Sequence, residues 1–345
     1  MTPLTRRRLA VFRAHKRGFW SLWIFLALFF LSLFAEFLAN DRPLLIRFDG
    51  HWYCPVLTDY SEDAFGPDFL PTEADYTDPD LAAAINAHGW MIWPAIPFSY
   101  DTVVKNLPVP APGPPSRRNL LGTDDQARDV LARVIYGFRL SVLFGFTLTI
   151  ISSIVGVAAG AVQGFYGGRV DLFFQRFIEI WAGMPQLYLL IILGSVITPT
   201  FWVLLLFLLL FSWMALTGVV RAEFLRGRNL DYVRAARALG VSDPAVMWRH
   251  ILPNAMGPIL VVATLGIGGA ILTESSLSFL GLGVQPPTPS WGNMLQEGKD
   301  HLTDAWWLVT FPGLAIFITV LGYNLLGEGL RDLLDPRLRG SGRRG

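Results

Sequence analysis

Few side chains in this sequence could do chemistry, and the two that stand out lie inside long apolar runs. Glu274, in Leu272-Thr273-Glu274-Ser275-Ser276, sits toward the end of one run, and Asn324 sits toward the end of another. An ionisable group at membrane depth normally faces a bundle interior or a water-filled path, where it can hold a proton or a cation. Both residues are therefore candidates for lining a translocation path. The plainer reading of Glu274 is a solvated carboxylate at the interface. Glu36 and Glu179 lie nearer the ends of their runs and read as interfacial.

The other residues of chemical interest form no catalytic set. The five histidines, His15, His51, His88, His250 and His301, include no pair at metal-ligand spacing, and H-E-x-x-H is absent. No metal site is expected. Cys54 is the lone cysteine and cannot form an internal disulfide. No G-x-x-x-x-G-K-[ST] run is present to cradle ATP phosphates. Gly266-Ile267-Gly268-Gly269 lies within an apolar run, not after a strand, so a dinucleotide site is not expected. G-x-S-x-G is absent, and no Ser/His/Asp set stands out. A TVGYG-like filter and voltage-sensor arginine spacing are missing as well. Nor is there a clear inverted repeat between the halves. The net charge of +1 points to no nucleic-acid partner. The chain reads as a non-enzyme.

The elements that must position these residues are membrane helices. The chain has 345 residues, 52% apolar and only 16% charged, against roughly 25% charged in an average soluble domain. Six apolar stretches approach or exceed the roughly 20 residues that a span needs: 19–39, 140–164, 177–197, 201–220, 255–280 and 305–327. The first has an apolar core too long for a typical signal peptide and no clean cleavage site, so it reads as a retained helix. The second carries Gly156, Gly160 and Gly164, four residues apart and so on one helix face. Such a stripe favours close helix packing and does not by itself identify a transporter.

Charge near the helix ends sets the orientation. Residues 1–18 hold six basic side chains (Arg6, Arg7, Arg8, Arg13, Lys16, Arg17) and no acid. The 221–253 loop holds six arginines against three acids, and 328–345 holds five against three. By contrast, 41–118 has five basic and eleven acidic residues, and 283–304 has one lysine and three acids. The spacing predicts six helices with both termini cytoplasmic. The domain expectation is a basic N-terminus and first helix at 1–40, an acidic extracytoplasmic insert at 41–118, a core of five further helices at 119–337 with the loop at 221–254, and a basic tail at 338–345. Twelve of the 23 prolines fall in the insert. The run Pro108–Pro115 is expected to be extended and polyproline-like. The aromatic-rich flank leaves two readings open, a spacer or a small folded cap that meets an external partner.

The cytoplasmic loop is the informative one. Asp231 is a plausible N-cap, alanine and arginine then favour helix, and Gly240 suits the C′ position where φ is positive. Ser242 or Asp243 can start a second helix with Pro244 in its first turn, and Pro253 is expected to end it. Two helices of about nine residues are too short to stand alone in water. They dock either on another protein, through a small face at Ala235, Ala236 and Ala238, or back onto their own helix ends.

Ala235-Ala236, Gly240 four residues later, and His250-Ile251-Leu252-Pro253 resemble the EAA loop of ABC importer permeases. Further segments resemble the dipeptide, oligopeptide and nickel branch of that family. These are Leu121-Gly122-Thr123-Asp124-Asp125 with Arg128-Asp129-Val130, Tyr166-Gly167-Gly168 with Asp171, and Leu277-Ser278-Phe279-Leu280-Gly281-Leu282-Gly283 with Pro286-Pro287. Trp291-Gly292, Pro312-Gly313, Asn324-Leu325-Leu326-Gly327, Leu330-Arg331-Asp332 and Asp335-Pro336 follow. The match covers about 120–337 and the first span. The long insert is similar to that of the C-type subunit of microcin C and oligopeptide importers. One departure is Arg234, where the family usually has the glutamate of EAA.

The resemblance implies an all-α integral membrane protein of the type I ABC importer permease fold in a bacterial inner membrane. It implies import of peptides or peptide-like solutes. The partners would be a second permease chain, two ATP-binding subunits inside that hold ATP and magnesium, and a solute-binding protein outside. This chain would hold no cofactor. Arg234, Ala235, Ala236, Gly240, His250, Leu252 and Pro253 would form the surface that couples to ATP hydrolysis. Without the resemblance, six spans and Glu274 also fit an ATP-independent secondary transporter or channel.

Overall fold

A computed structural model describes residues 12–334 apart from 14, 68 and 106, with no side-chain description at 334. The basic run Arg6-Arg7-Arg8, the pair Asp335-Pro336 and the tail at 338–345 lie outside the described residues. The described chain forms two compact units. The first holds 12–26, 142–277 and 316–334, and the second holds 27–141 and 278–315.

Among the described residues, five helices are long and apolar enough to cross a membrane. They are α1 (Lys16–Leu33), α4 (Val130–Tyr166), α7 (Phe201–Gly227), α9 (Asp243–Phe279) and α11 (Trp307–Leu334). The expected third span, 177–197, is not one helix. It is a pair, α5 (Gly168–Ala182) and α6 (Gln186–Val196), bent by 63°. The break falls at Gly183-Met184-Pro185. Proline has no N–H to give and disfavours helical backbone in the residue before it. Counting the pair as one span gives six. Short helices α2 (Ala35–Leu38), α3 (Pro79–His88), α8 (Asp231–Ala238) and α10 (Trp291–Gly298) complete the helical set.

The insert departs from an all-helical fold. Strands β1 (Leu45–Phe48), β2 (His51–Tyr53) and β3 (Gly89–Ile92) make an antiparallel sheet in the order β2-β1-β3, with Arg47 paired to both Trp52 and Trp90. Alternation along β1 turns Ile46 and Phe48 inward and leaves Arg47 outside, 5.5 Å from the Trp52 ring centroid. The inward side chains join Phe65, Tyr76, Leu81 and Ile85 in a small apolar core. Asp78 caps α3 by accepting from the Asp80 N–H at 2.8 Å, and Pro79 fills the first helical position. Residues 107–119 hold no helix or strand.

In the first unit, α4 and α7 meet backbone to backbone. A Cβ built on Gly156 would lie 2.7 Å from the Trp213 carbonyl oxygen, one on Gly160 2.6 Å from that of Thr217, and one on Gly164 2.5 Å from that of Arg221. Each contact advances one turn on both helices, so the seam admits no side chain over two turns. Lipid tails compete well with leucine for apolar contact, so close approach of this kind is a main source of association within a bilayer. The turn after the seam needs positive φ at Gly167 (+65°) and Gly168 (+54°), and it places Asp171 against Arg221 with contacts of 2.5 and 2.7 Å.

Gly160→Ala is expected to lower stability in detergent by about 1–3 kcal/mol through overpacking. Gly218→Ala, which adds a Cβ with nothing within 4 Å, is expected to stay within about 0.5 kcal/mol. Thermal unfolding of the two variants checks the pair. Equal melting temperatures would show that the seam yields without cost.

Candidate functional site

The loop between α7 and α9 belongs to the first unit and packs into its apolar core. After Leu230, in extended conformation, α8 runs through alanines and arginines and ends at Leu239. The Gly240 N–H bonds to the Arg237 carbonyl at 2.9 Å, and the Val241 N–H to that of Ala236 at 3.1 Å. This pair of bonds is a Schellman motif, and Gly240 adopts the φ of +82° that it requires. Asp231 is the first helical residue, not the N-cap, and its side chain caps nothing.

The second loop helix is not a separate element ended by Pro253. It runs on as α9 through a π turn at Val246–Ile251, where the Leu252 N–H reaches the Met247 carbonyl. The proline enters just after this wide turn. Asn254 Nδ2 donates to the His250 carbonyl at 2.8 Å. Side chains and wide turns of this kind let a helix pass a proline.

Burial divides the predicted surface. Val233 and Ala236 face inward onto Val246, Met247 and Ile251, in one apolar cluster with Phe165, Val220 and Phe224. The alanine face is therefore split, since Ala235 and Ala238 are exposed while Ala236 belongs to the chain's own core. His250 and Leu252 are half-buried, Leu252 packs on the same cluster, and Pro253 is exposed. Arg237 lies 4.3 Å from the Phe165 ring centroid and 3.4 Å from Asp243, which fastens α8 to both neighbours. The Arg234 N–H bonds to the Leu230 carbonyl at 3.1 Å, while its side chain is exposed and makes no hydrogen bond or ion pair with the described residues. The tip of the loop carries Leu239, 85% exposed, with Trp248 also exposed. Sequence reasoning missed both. The signal for Leu239 was its place just before the turn glycine, where a side chain has no helix of its own to cover it.

A cavity of about 320 Å³ lies among α4, α6, α7 and α9 of the same unit. Its polar lining comes from Thr149, Ser152, Ser153, Gln186, Ser212 and Thr273, with Leu148, Phe211 and Val262 beside them. Gly266 and Gly269 line it on the α9 side. Neither predicted path residue takes part. Glu274 is fully buried, off the cavity wall, and accepts from Ser275 Oγ at 3.3 Å. It is thus a buried carboxylate, not a solvated interfacial one. Its neighbour Thr273 holds the cavity position, because one residue turns a helix by about 100°. Asn324 is exposed on α11, away from the cavity. The hydroxyl and amide lining can solvate polar groups without a fixed charge, and the cavity shows no acid, base or nucleophile set for catalysis.

In the second unit, the residues from Leu121 to Val130 build the entry to α4. Asp124 accepts from Arg128 Nε at 2.7 Å and also pairs with Arg133, while Glu297 of α10 lies 3.1 Å from Arg128 and 3.2 Å from Arg133 Nη2. Asp129 accepts from the Ala132 N–H at 2.8 Å and starts the helix. Trp291, wholly buried, donates to the Val134 carbonyl at 3.2 Å and stands where a Cβ on Gly137 would lie, 2.9 Å from its ring. Asp124, Asp125 and Glu297 also lie close enough to hold a cation. Two of the three already neutralise Arg128 and Arg133, so the donor set does not fit a metal.

Residues 134–340 match the family described as binding-protein-dependent transport system inner membrane component. The chain is 51% identical over 337 residues to the inner membrane ABC transporter permease protein YejE of Escherichia coli, covering 97% of this chain and 98% of that one. It is 49% identical over 361 residues to the peptidoglycan transport system permease protein YejE of Agrobacterium fabrum, covering 97% and 94%. It is 47% identical over 224 residues to the dipeptide transport system permease protein DppC of Escherichia coli, covering 65% and 75%.

The Schellman turn gives a direct test of loop rigidity. A Cβ at Gly240 has open space around it, so Gly240→Ala strains only the backbone, by about 1–2 kcal/mol. Hydrogen exchange across 231–245 is expected to quicken by roughly 5–30-fold. Unchanged exchange would show that the loop does not depend on this turn.

Proposed function

The chain belongs to the family of binding-protein-dependent transport system inner membrane components, the permease subunits of ABC importers, and from this premise we propose that it moves peptides or peptide-like solutes into the cytoplasm. The substrate class is supported by relatives named for dipeptide and peptidoglycan transport. In this reading it pairs with a second permease chain. Two ATP-binding subunits, which hold ATP and magnesium, sit at the cytoplasmic face, and a solute-binding protein delivers from outside. Both termini and the 221–254 loop are cytoplasmic, and 41–118 lies outside, as the distribution of arginine and lysine favours.

The observation that carries the coupling role is the seating of α8. Its inner face is locked by Val233, Ala236 and Arg237, while Arg234 and Leu239 face outward with nothing of the described chain upon them. A push on the tip then passes through packed side chains to α7 and α9 without being lost in the loop. Gly240 fixes the angle between α8 and the start of α9. The hydroxyl-lined cavity beside α9 forms part of the path that reorientation opens.

Leu239→Asp is the test. In a complex reconstituted with its ATP-binding subunits, the variant should insert and fold as wild type, because a change at an exposed site costs within about 0.5 kcal/mol. ATP-driven uptake should fall at least about tenfold, equivalent to the loss of about 1.4 kcal/mol of docking. Normal uptake would remove the loop tip from coupling. Arg234→Glu, which reverses a charge on the same surface, should weaken binding of the ATP-binding subunit. Unchanged affinity would place position 234 at the margin of the contact.

A further inference from the structure

No residue of α5 is buried, and the contacts of this helix fix how deep it lies. Asp171 meets Arg221, and further along Trp181 Nε1 donates to the Leu210 carbonyl at 2.9 Å. The stretch 171–181 of α5 and the stretch 210–221 of α7 are both about 15–17 Å long. The two helices therefore run side by side in opposite directions. Phe201–Val220 of α7 carries no charge, and its length of about 30 Å matches a hydrocarbon core. Arg221 marks the end of that stretch. On α5, Arg176 then lies about 8 Å and Glu179 about 12 Å past the Arg221 level, within the apolar depth.

Both residues point out of the chain. Arg176 Nη1 is 2.6 Å from Glu179 Oε2, and the two side chains are 76% and 56% exposed. An open surface at this depth meets lipid, a second chain or water. Lipid is excluded by the glutamate: an arginine can extend its stem toward the interface, but a short carboxylate this far in cannot. The helix also sorts its residues by side. At about 100° per residue, Leu172, Arg176 and Glu179 fall within about 60° of one another, and Phe173, Phe177 and Ile180 form a second stripe about 100° away. The second stripe is wholly apolar and open, with Phe173 70% and Ile180 75% exposed, as a lipid-facing surface should be. The stripe with both charges must face something else. Covering it with a second chain would strip water from two ions that already satisfy each other. Phe211 and Ser212, next to Leu210, line the cavity, so the pair stands between the level of the cavity and the loop end of α7.

We propose that Arg176 and Glu179 line a water-filled path at this depth, through which a peptide passes between the cavity level and the loop side. The peptide as cargo rests on the function proposed above; the water rests on depth, exposure and pairing.

The experiment is thiol labelling of the full chain in nanodiscs, assembled with the second permease chain and the ATP-binding subunits. Each sample carries Cys54→Ser, which removes the lone native thiol, and one of Glu179→Cys, Arg176→Cys or Phe173→Cys. The probe is sulfonatoethyl methanethiosulfonate, an anion that does not enter lipid, and labelling is read by mass spectrometry. Thiols at 176 and 179 are expected to label at least about tenfold faster than the thiol at 173. Using two positions keeps the question open to test if one substitution disturbs assembly. Labelling at 176 and 179 as slow as at 173 would overturn the proposal, whether lipid or a second chain covers them. Labelling is read without ATP or peptide. Fast labelling at 179 in a complex that takes up no peptide would count against the proposed function and leave the water path standing.

Discussion

The contact between α4 and α7 along Gly156, Gly160 and Gly164 governs the first unit. No apolar driving force separates a leucine from a lipid tail, so these helices hold together by how closely their backbones approach. With Cβ positions already 2.5–2.7 Å from the carbonyls of α7, any side chain would force the pair apart. The seam continues beyond the glycines. Ala161, Phe165, Val220 and Phe224 belong to the same apolar cluster that receives Val233 and Ala236 of α8. The loop is therefore seated at the end of this close helix contact and shares its apolar cluster.

That arrangement separates holding from docking. Inward residues of α8 are small or branched and fill the chain's own core, while Arg237 is spent on Phe165 and Asp243. Among the outward residues Tyr232 still bonds back to His250 and Asn254, whereas the Arg234 and Leu239 side chains stay exposed, which is what a partner-facing surface needs. The π turn at Val246–Ile251 joins the loop directly to α9, and α9 supplies Gly266, Gly269 and Thr273 to the cavity. One continuous helix thus links the docking loop to the cavity wall.

Much of this was legible in the residue order, and the failures have physical causes. The apolar runs and the glycine spacing are local, and so is the glycine at a helix C′ position; each can be read from a few neighbours. The break at Gly183-Met184-Pro185 was obscured because hydropathy averages over a window while a proline acts at one bond. Pro253 misled for the opposite reason: a preceding π turn lets a helix carry a proline that would otherwise end it. Which alanines of α8 face inward depends on Phe165 and Val220, distant in sequence, so a helix of eight residues could not reveal it. Likewise the position of Glu274 along the span was visible, whereas the rotation about the helix axis that buries it off the cavity wall was not. The motif from Leu121 to Val130 was noticed by resemblance alone, since its arginines find their partner in Glu297 far along the chain.

The proposed coupling requires the loop tip to meet an ATP-binding subunit. Photo-crosslinking in native membranes, from a photoreactive residue placed at Leu239, tests this directly, with the crosslinked peptides identified by mass spectrometry. The account predicts a crosslink into a nucleotide-binding subunit whose yield changes when ATP is trapped. Crosslinks confined to lipid or to this chain's own helices, in membranes where the complex is intact, would contradict it.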